Sequence, residues 1–202
     1  MDLREHYLEA LALTGDIISG LSEQQLDLPT PCDEWDVRAV ICHLTANARG
    51  MDSHLSGTAD GSRAALTGDA PPTPDPIADF GTAARELAVT LADDAVLDRS
   101  VAVPSAGTVP GSVAIGVHFV DVLTHGWDLS RATGSDYRPT ERQVATALRF
   151  AGRYPDSPAM RGPGALFAPI RTLDPDAPAL DRLAALLGRD PHWTSAVAPG
   201  LR

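Results

Sequence analysis

The sequence predicts an all-α protein built on a four-helix bundle, with short additional helices towards the C-terminus. Apolar residues recur at intervals of three and four over long segments, the period of one helix face. Helix-start and helix-stop residues bracket those segments. The 202 residues, 44% apolar and 21% charged, suit one folded domain with a substantial core and leave no room for two large ones.

The first helix is expected over about residues 3 to 20, where Leu3, Tyr7, Leu11, Ile18 and Leu21 share a face. After LPTPCDEW, Asp36 can cap a second helix whose stripe is Val37, Val40, Ile41, Leu44, Ala48, Met51 and Leu55, and this helix carries His43. Residues 57 to 76 turn to Gly, Ala, Pro, Ser, Thr and Asp, which offer little to bury and read as an exposed connection crossing the bundle. A third helix follows, with Ile77, Phe80, Ala84, Leu87 and Leu91 in regular alternation. Ser100 to Pro110, with two prolines and a glycine, reads as a loop returning to the bundle, a short extended piece being the alternative. Gly111 to Thr133 forms a fourth helix that Gly134 can cap. Thr140 and Gln143 have capping-box spacing and start a fifth. The tail is rich in Pro and Gly until APALDRLAALLG, a last helix with Leu180, Leu183 and Leu187 inward and Gly188 as its stop. The expected division is a bundle over residues 1–152 and a tail over 153–202 that packs on it.

All 16 basic residues are arginine, and 27 acidic residues leave a net charge of -11. Such a surface repels phosphate backbones and anionic lipid, so neither nucleic acid nor a membrane is an expected partner. No stretch approaches the roughly 20 apolar residues of a membrane span. The start MDLREHYLEA places acids where a secretory signal needs a basic region and then an apolar one, so a cytoplasmic protein is expected. Cys32 and Cys42 are too few for a disulfide scaffold and read as reduced thiols in or near the core.

The chemistry concentrates on the fourth helix. His118, Asp121, His125 and Asp128 follow one another at three, four and three residues, so they share a face in successive turns. Val117, Val120, Val122, Leu123, Trp127 and Leu129 surround them, and ionisable groups on so apolar a helix need pairing, hydrogen bonds or a metal. Asp121 and His125, one turn apart, can give an oxygen and a nitrogen to one divalent ion. His43, on the border of the second helix's stripe, is the best third donor, and three protein ligands leave a position for water or substrate. A hydrogen-bonded network or a solvated face fits the same spacing. His118 reads as a supporting or substrate-facing group, a fourth ligand being the alternative, and Asp128 as an acceptor for a ligand histidine or a cap of local backbone. His54 lies eleven residues beyond His43, about 16 Å along a helix, too far to share the ion. His6 and His192, near the termini, are expected at the surface.

The segments TPCDEWDVRAVICHL and DVLTHGWDLSRATG, in that order and separation, resemble the actinobacterial metal-binding branch of the DinB-like superfamily, relatives of the mycothiol-dependent maleylpyruvate isomerases. The ending LFAPI and DAPALDRLAALLGRDPHW is similar to that of stand-alone members. The resemblance implies a DinB-like four-helix bundle in which His43, Asp121 and His125 hold zinc, with nickel as the alternative. It further implies a transferase or isomerase that uses mycothiol, or another low-molecular-weight thiol, on a small electrophile. In that chemistry a metal lowers the pKa of the thiol, so a thiolate exists at neutral pH. His118 would then relay a proton, and Arg131 or Arg38 would pair with a carboxylate of the substrate or of the thiol. Two departures stand out: Asp121 occupies the place of a glutamate, one methylene longer, and a short tail stands where the isomerases carry a second domain. Maleylpyruvate itself is therefore not the expected substrate. The competing readings are a metal-dependent hydrolase and a non-catalytic metal-binding protein. Apolar helix faces left on the outside of the bundle would favour a homodimer.

Overall fold

The computed structural model describes residues 3–33, 35–58, 72–103, 107–162 and 165–195. Four helices close a ring: α1 (Leu3–Ser19) packs along α4 (Gly111–Thr133), and α2 (Val37–Ser56) packs along α3 (Pro76–Thr90). Lighter contacts of α1 with α3 and of α2 with α4 complete the four-helix bundle. The ends of these helices follow from local chemistry. Asp36 caps α2 by accepting the Ala39 N–H at 2.7 Å, and Asp75 caps α3 by accepting that of Ala78 at 3.0 Å. Gly134, at φ 71°, supplies the left-handed residue that ends α4.

The core is one apolar cluster, with Tyr7, Ile18, Ile41, Leu44, Met51, Phe80, Leu87, Ile115, Phe119 and Leu123 among its buried members. Burial of this apolar face is what holds such helices together, at about 25 cal/mol per Å² removed from water. α4 is its axis, touching α1, α2, α5 and α6. At Gly126 the approach is close: a Cβ there would lie 2.4 Å from the Tyr137 ring and 2.7 Å from Thr14 Oγ1.

Two expectations change. The Ser100–Pro110 stretch is an antiparallel hairpin of β1 (Ser100–Val103) and β2 (Gly107–Pro110), with Val101 opposite Val109. Val101 and Val103 point into the core while Ser100 and Ala102 point out, and this period of two was masked by the flanking prolines. His6 is buried, its ring stacked on Phe119 at 5.7 Å, because the first turn of α1 is packed on α4. Residues 59–71 of the expected exposed connection lie outside the described residues. His192 is exposed, as its place near the terminus predicts.

After α4, Thr140 and Gln143 form the capping box of α5 (Glu141–Ala151). α6 (Ala179–Leu186) packs on α5 and α4, with Leu183 and Leu187 buried and Leu180 partly so. Trp127 Nε1 donates to Asp181 Oδ1 at 3.0 Å, which ties this segment to α4. Among the described residues no helix is long and apolar enough to cross a membrane.

Candidate metal centre

His43 lies two turns into α2, and Asp121 and His125 stand one turn apart on α4, so the packing of α2 beside α4 brings the three together. His43 Nε2 is 3.3 Å from each carboxylate oxygen of Asp121, and His125 Nε2 is 3.4 Å from Asp121 Oδ1. One ligand atom from each residue falls within 4.8 Å of the other two. Ligands bonded at 2.0–2.1 Å in a tetrahedron stand about 3.3–3.4 Å apart, so these separations fit a common ion. Both imidazoles are buried, whereas the Asp121 side chain keeps 22% exposure, leaving the trio one side open to solvent. Trp35 lies over the rings, its centroid 4.6 Å from His43 and 5.5 Å from His125.

The charges are coupled. Burial opposes ionisation of Asp121, but the His43 and His125 imidazoles outweigh it and hold the carboxyl well below its usual range. Burial likewise disfavours protonation of His125, and Asp121 and Asp128 together reverse that effect and raise its pKa. Asp128 is fully buried and lies 2.9 Å from His125 Nδ1, somewhat off the axis of the ring N–H. Arg189 grips the same carboxylate, with guanidinium nitrogens 3.1 Å from Oδ2 and 3.4 Å from Oδ1. A chain of alternating charge thus runs from the tail to the trio. A carboxylate behind an imidazole fixes the tautomer and ring orientation of a metal-binding histidine.

Cys32 also borders this chain: its thiol, His125 and Asp128 approach closely enough to form a second potential ligand group. Arg189 already supplies the cation there, donating to Cys32 Sγ at 3.5 Å as well as to Asp128. Burial, against the opposing effect of Arg189, pushes the Cys32 thiol up to about 12. It is no nucleophile in this setting. Cys32 and Cys42 are both free thiols.

His118 stays outside the trio. It is buried one turn before Asp121, 6.4 Å from the Tyr7 ring, and its Nδ1 has no partner among the described residues. Burial drives its pKa down to about 4 against the pull of Asp121, so the ring is neutral near pH 7. The two arginines are engaged elsewhere. Arg131 donates to the Pro191 carbonyl and lies over the Trp127 ring at 5.3 Å, which makes it an anchor of the tail. Arg38 sits in the first turn of α2, 3.6 Å from Asp27. His54 bonds the Gly50 carbonyl one turn back on α2.

Four residues at the site escape the sequence reading. Asn47 touches both His43 and Asp121, and its position four after His43 was the available signal. Trp35 stands inside the first motif. Tyr7 reads as an ordinary core residue, yet its buried hydroxyl has no partner among the described residues and its ionisation is opposed by burial and then by the charge of Asp121. Arg189 gave no local signal, since its partner is 61 residues away.

The fold and this cluster define a helical bundle with a candidate metal centre between two neighbouring helices. The model of the mycothiol maleylpyruvate isomerase N-terminal domain matches residues 7–130, a span that includes His43, Asp121 and His125. The chain belongs to that family, within the DinB-like superfamily. It is 33% identical over 174 residues to uncharacterized proteins of two Mycobacterium tuberculosis strains, CDC 1551 / Oshkosh and H37Rv, covering 86% of this chain and 90% of each relative. Among solved structures it is similar to a mycothiol-dependent maleylpyruvate isomerase, with a TM-score of 0.57 and 16% identity over 75% of this chain and 68% of that one. A histidine-to-alanine mutant of that enzyme matches with the same TM-score and 15% identity. At such identity the likeness concerns the fold alone.

Proposed function

We propose that the protein is a metal-dependent, thiol-using transferase or isomerase that joins mycothiol, or a similar low-molecular-weight thiol, to a small electrophile. The observation that carries this reading is the convergence of His43, Asp121 and His125 at ligand-like separations of 3.3 and 3.4 Å. Two imidazoles and a carboxylate suit zinc, with nickel as the alternative. A divalent ion at this position would make a thiolate available at neutral pH by lowering the pKa of a bound thiol. The family supplies the choice of thiol, since the structural neighbours are named for dependence on mycothiol.

The chain's own residues perform the remaining tasks. Asp128, itself clamped by Arg189, turns the Nε2 of His125 towards Asp121. Trp35 screens the imidazoles from water on one side, and the exposed flank of Asp121 leaves the approach for thiol and electrophile. His118, neutral and with Nδ1 unpartnered, is placed to take and return a proton as the substrate rearranges. No part is assigned to Arg131 or Arg38. A reduced thiol cosubstrate fits a cytoplasmic setting.

Cobalt(II) loading followed by addition of mycothiol tests the reading. A near-ultraviolet sulfur-to-cobalt band is expected, absent from His43→Ala, together with thiol-dependent turnover in a panel of electrophiles that includes maleylpyruvate. Turnover of an ester at equal rate without thiol would replace the reading with a metal-dependent hydrolase.

A further inference from the structure

We propose that Asn47 is the positioning residue that prepares the trio for its ion, holding one oxygen of Asp121 away from coordination. The inference rests on the metal reading above and deepens it. Asn47 follows His43 by one turn of α2 and is 1% exposed. Its Nδ2 lies 3.0 Å from Asp121 Oδ2 and 3.0 Å from His43 Nε2.

The chemistry of Asp121 fixes which way the amide points. An ionised carboxylate only accepts, so the amide atom facing Oδ2 is the nitrogen; an oxygen there would oppose lone pair to lone pair. The same nitrogen lies equally close to His43 Nε2, a contact that gives way when an ion takes that ring atom.

Asp121 is divided by the same interaction. Oδ1 faces His125 Nε2 at 3.4 Å, while Oδ2 receives the amide hydrogen. A carboxylate held in this way offers the ion one oxygen and fills one coordination position instead of two, which preserves an open place for the thiol. Asn47 forgoes satisfaction of its own Oδ1, which is buried with no partner among the described residues. A buried amide chosen for stability alone would have both ends bonded.

Cobalt(II), titrated into the full chain, reads the effect without any activity assay. Asn47→Leu removes both hydrogens at nearly constant volume, and Asn47→Gln retains the amide on a longer stem. Loss of a residue that orients ligands lowers metal affinity by roughly 10–100-fold. The Leu variant is expected to show that loss and a weaker visible absorption per bound cobalt, because the freed Oδ2 joins the coordination sphere, and the Gln variant to recover part of both. An affinity equal to wild type, or an unchanged spectrum, overturns the proposal. Should Asn47→Leu fail to fold, Asn47→Ser removes the same amide and is judged by the same two outcomes. Failure of the wild-type chain to bind cobalt at all would be a different result, removing the metal reading itself.

Discussion

Two turns of α4 separate His118 from His125, and the structure buries both rings to nearly the same degree, at 2% and 4% exposure. In the N-terminal half, His118 meets Tyr7 and apolar neighbours, and its pKa falls to about 4. In the C-terminal half, His125 stands between Asp121 and Asp128, and its pKa rises. Burial acts in the same direction on both; the carboxylates decide the difference. One half of the helix is thus a neutral polar wall, and the other is a charged cluster suited to hold a cation.

Breaking the charged half has the largest expected effect. Asp128→Ala leaves Arg189 buried without its carboxylate, and urea denaturation of the metal-free chain should show a loss of about 3–5 kcal/mol, the usual consequence of orphaning one partner of a buried pair. A loss below about 1 kcal/mol would mean that the Arg189–Asp128–His125 chain is not what supports this half. Packing gives a second contrast. Gly126→Ala drives a methyl into Thr14 and into Tyr137, whose hydroxyl is tied to the Leu123 carbonyl, whereas Gly116→Ala in the other half meets the far edge of the Phe150 ring, which no hydrogen bond holds. Overpacking costs about 1–3 kcal/mol, so the thermal midpoint should fall more for Gly126→Ala than for Gly116→Ala.

The pH dependence should have opposite signs in the two halves. His118, depressed from 6.5 to about 4, contributes stability that is present above pH 6.5 and is lost as pH falls towards 4. His125, raised above 6.5, contributes stability that is full below pH 6.5 and is lost as pH rises through its folded value. Measured on the metal-free chain by urea denaturation across pH 4–8, the wild-type advantage over His118→Gln should shrink in acid and that over His125→Gln should shrink in base. Parallel slopes would refute the contrast. The smallest effect belongs to Arg131→Ala, about 0.5–1.5 kcal/mol from one hydrogen bond and a ring contact. It should loosen the tail to proteolysis and leave metal affinity unchanged.

How much of this was legible depended on the distance between interacting residues. α4 spans Gly111–Thr133 as its sequence predicts, because the apolar period, the preceding proline and Gly134 all act within a turn or two. The polar stripe is local in the same sense, and the structure brings its Asp121 and His125 to His43, the partner the sequence reading named. Asp128 behind His125 follows from spacing as well. The hairpin escaped because four-residue strands give too short a period to outweigh their prolines. His6 escaped because nearness to a terminus says nothing about packing on α4. Arg189 and Trp35 reach the site only through tertiary contacts, which no local pattern encodes.

The central claim is that His43, Asp121 and His125 hold one divalent ion, and elemental analysis of protein purified without a histidine tag tests it most directly. The account predicts near-stoichiometric zinc or nickel in the wild type, lost in both His43→Ala and His125→Ala while helicity is retained. A wild-type chain that emerges from metal-replete conditions without bound metal would contradict it.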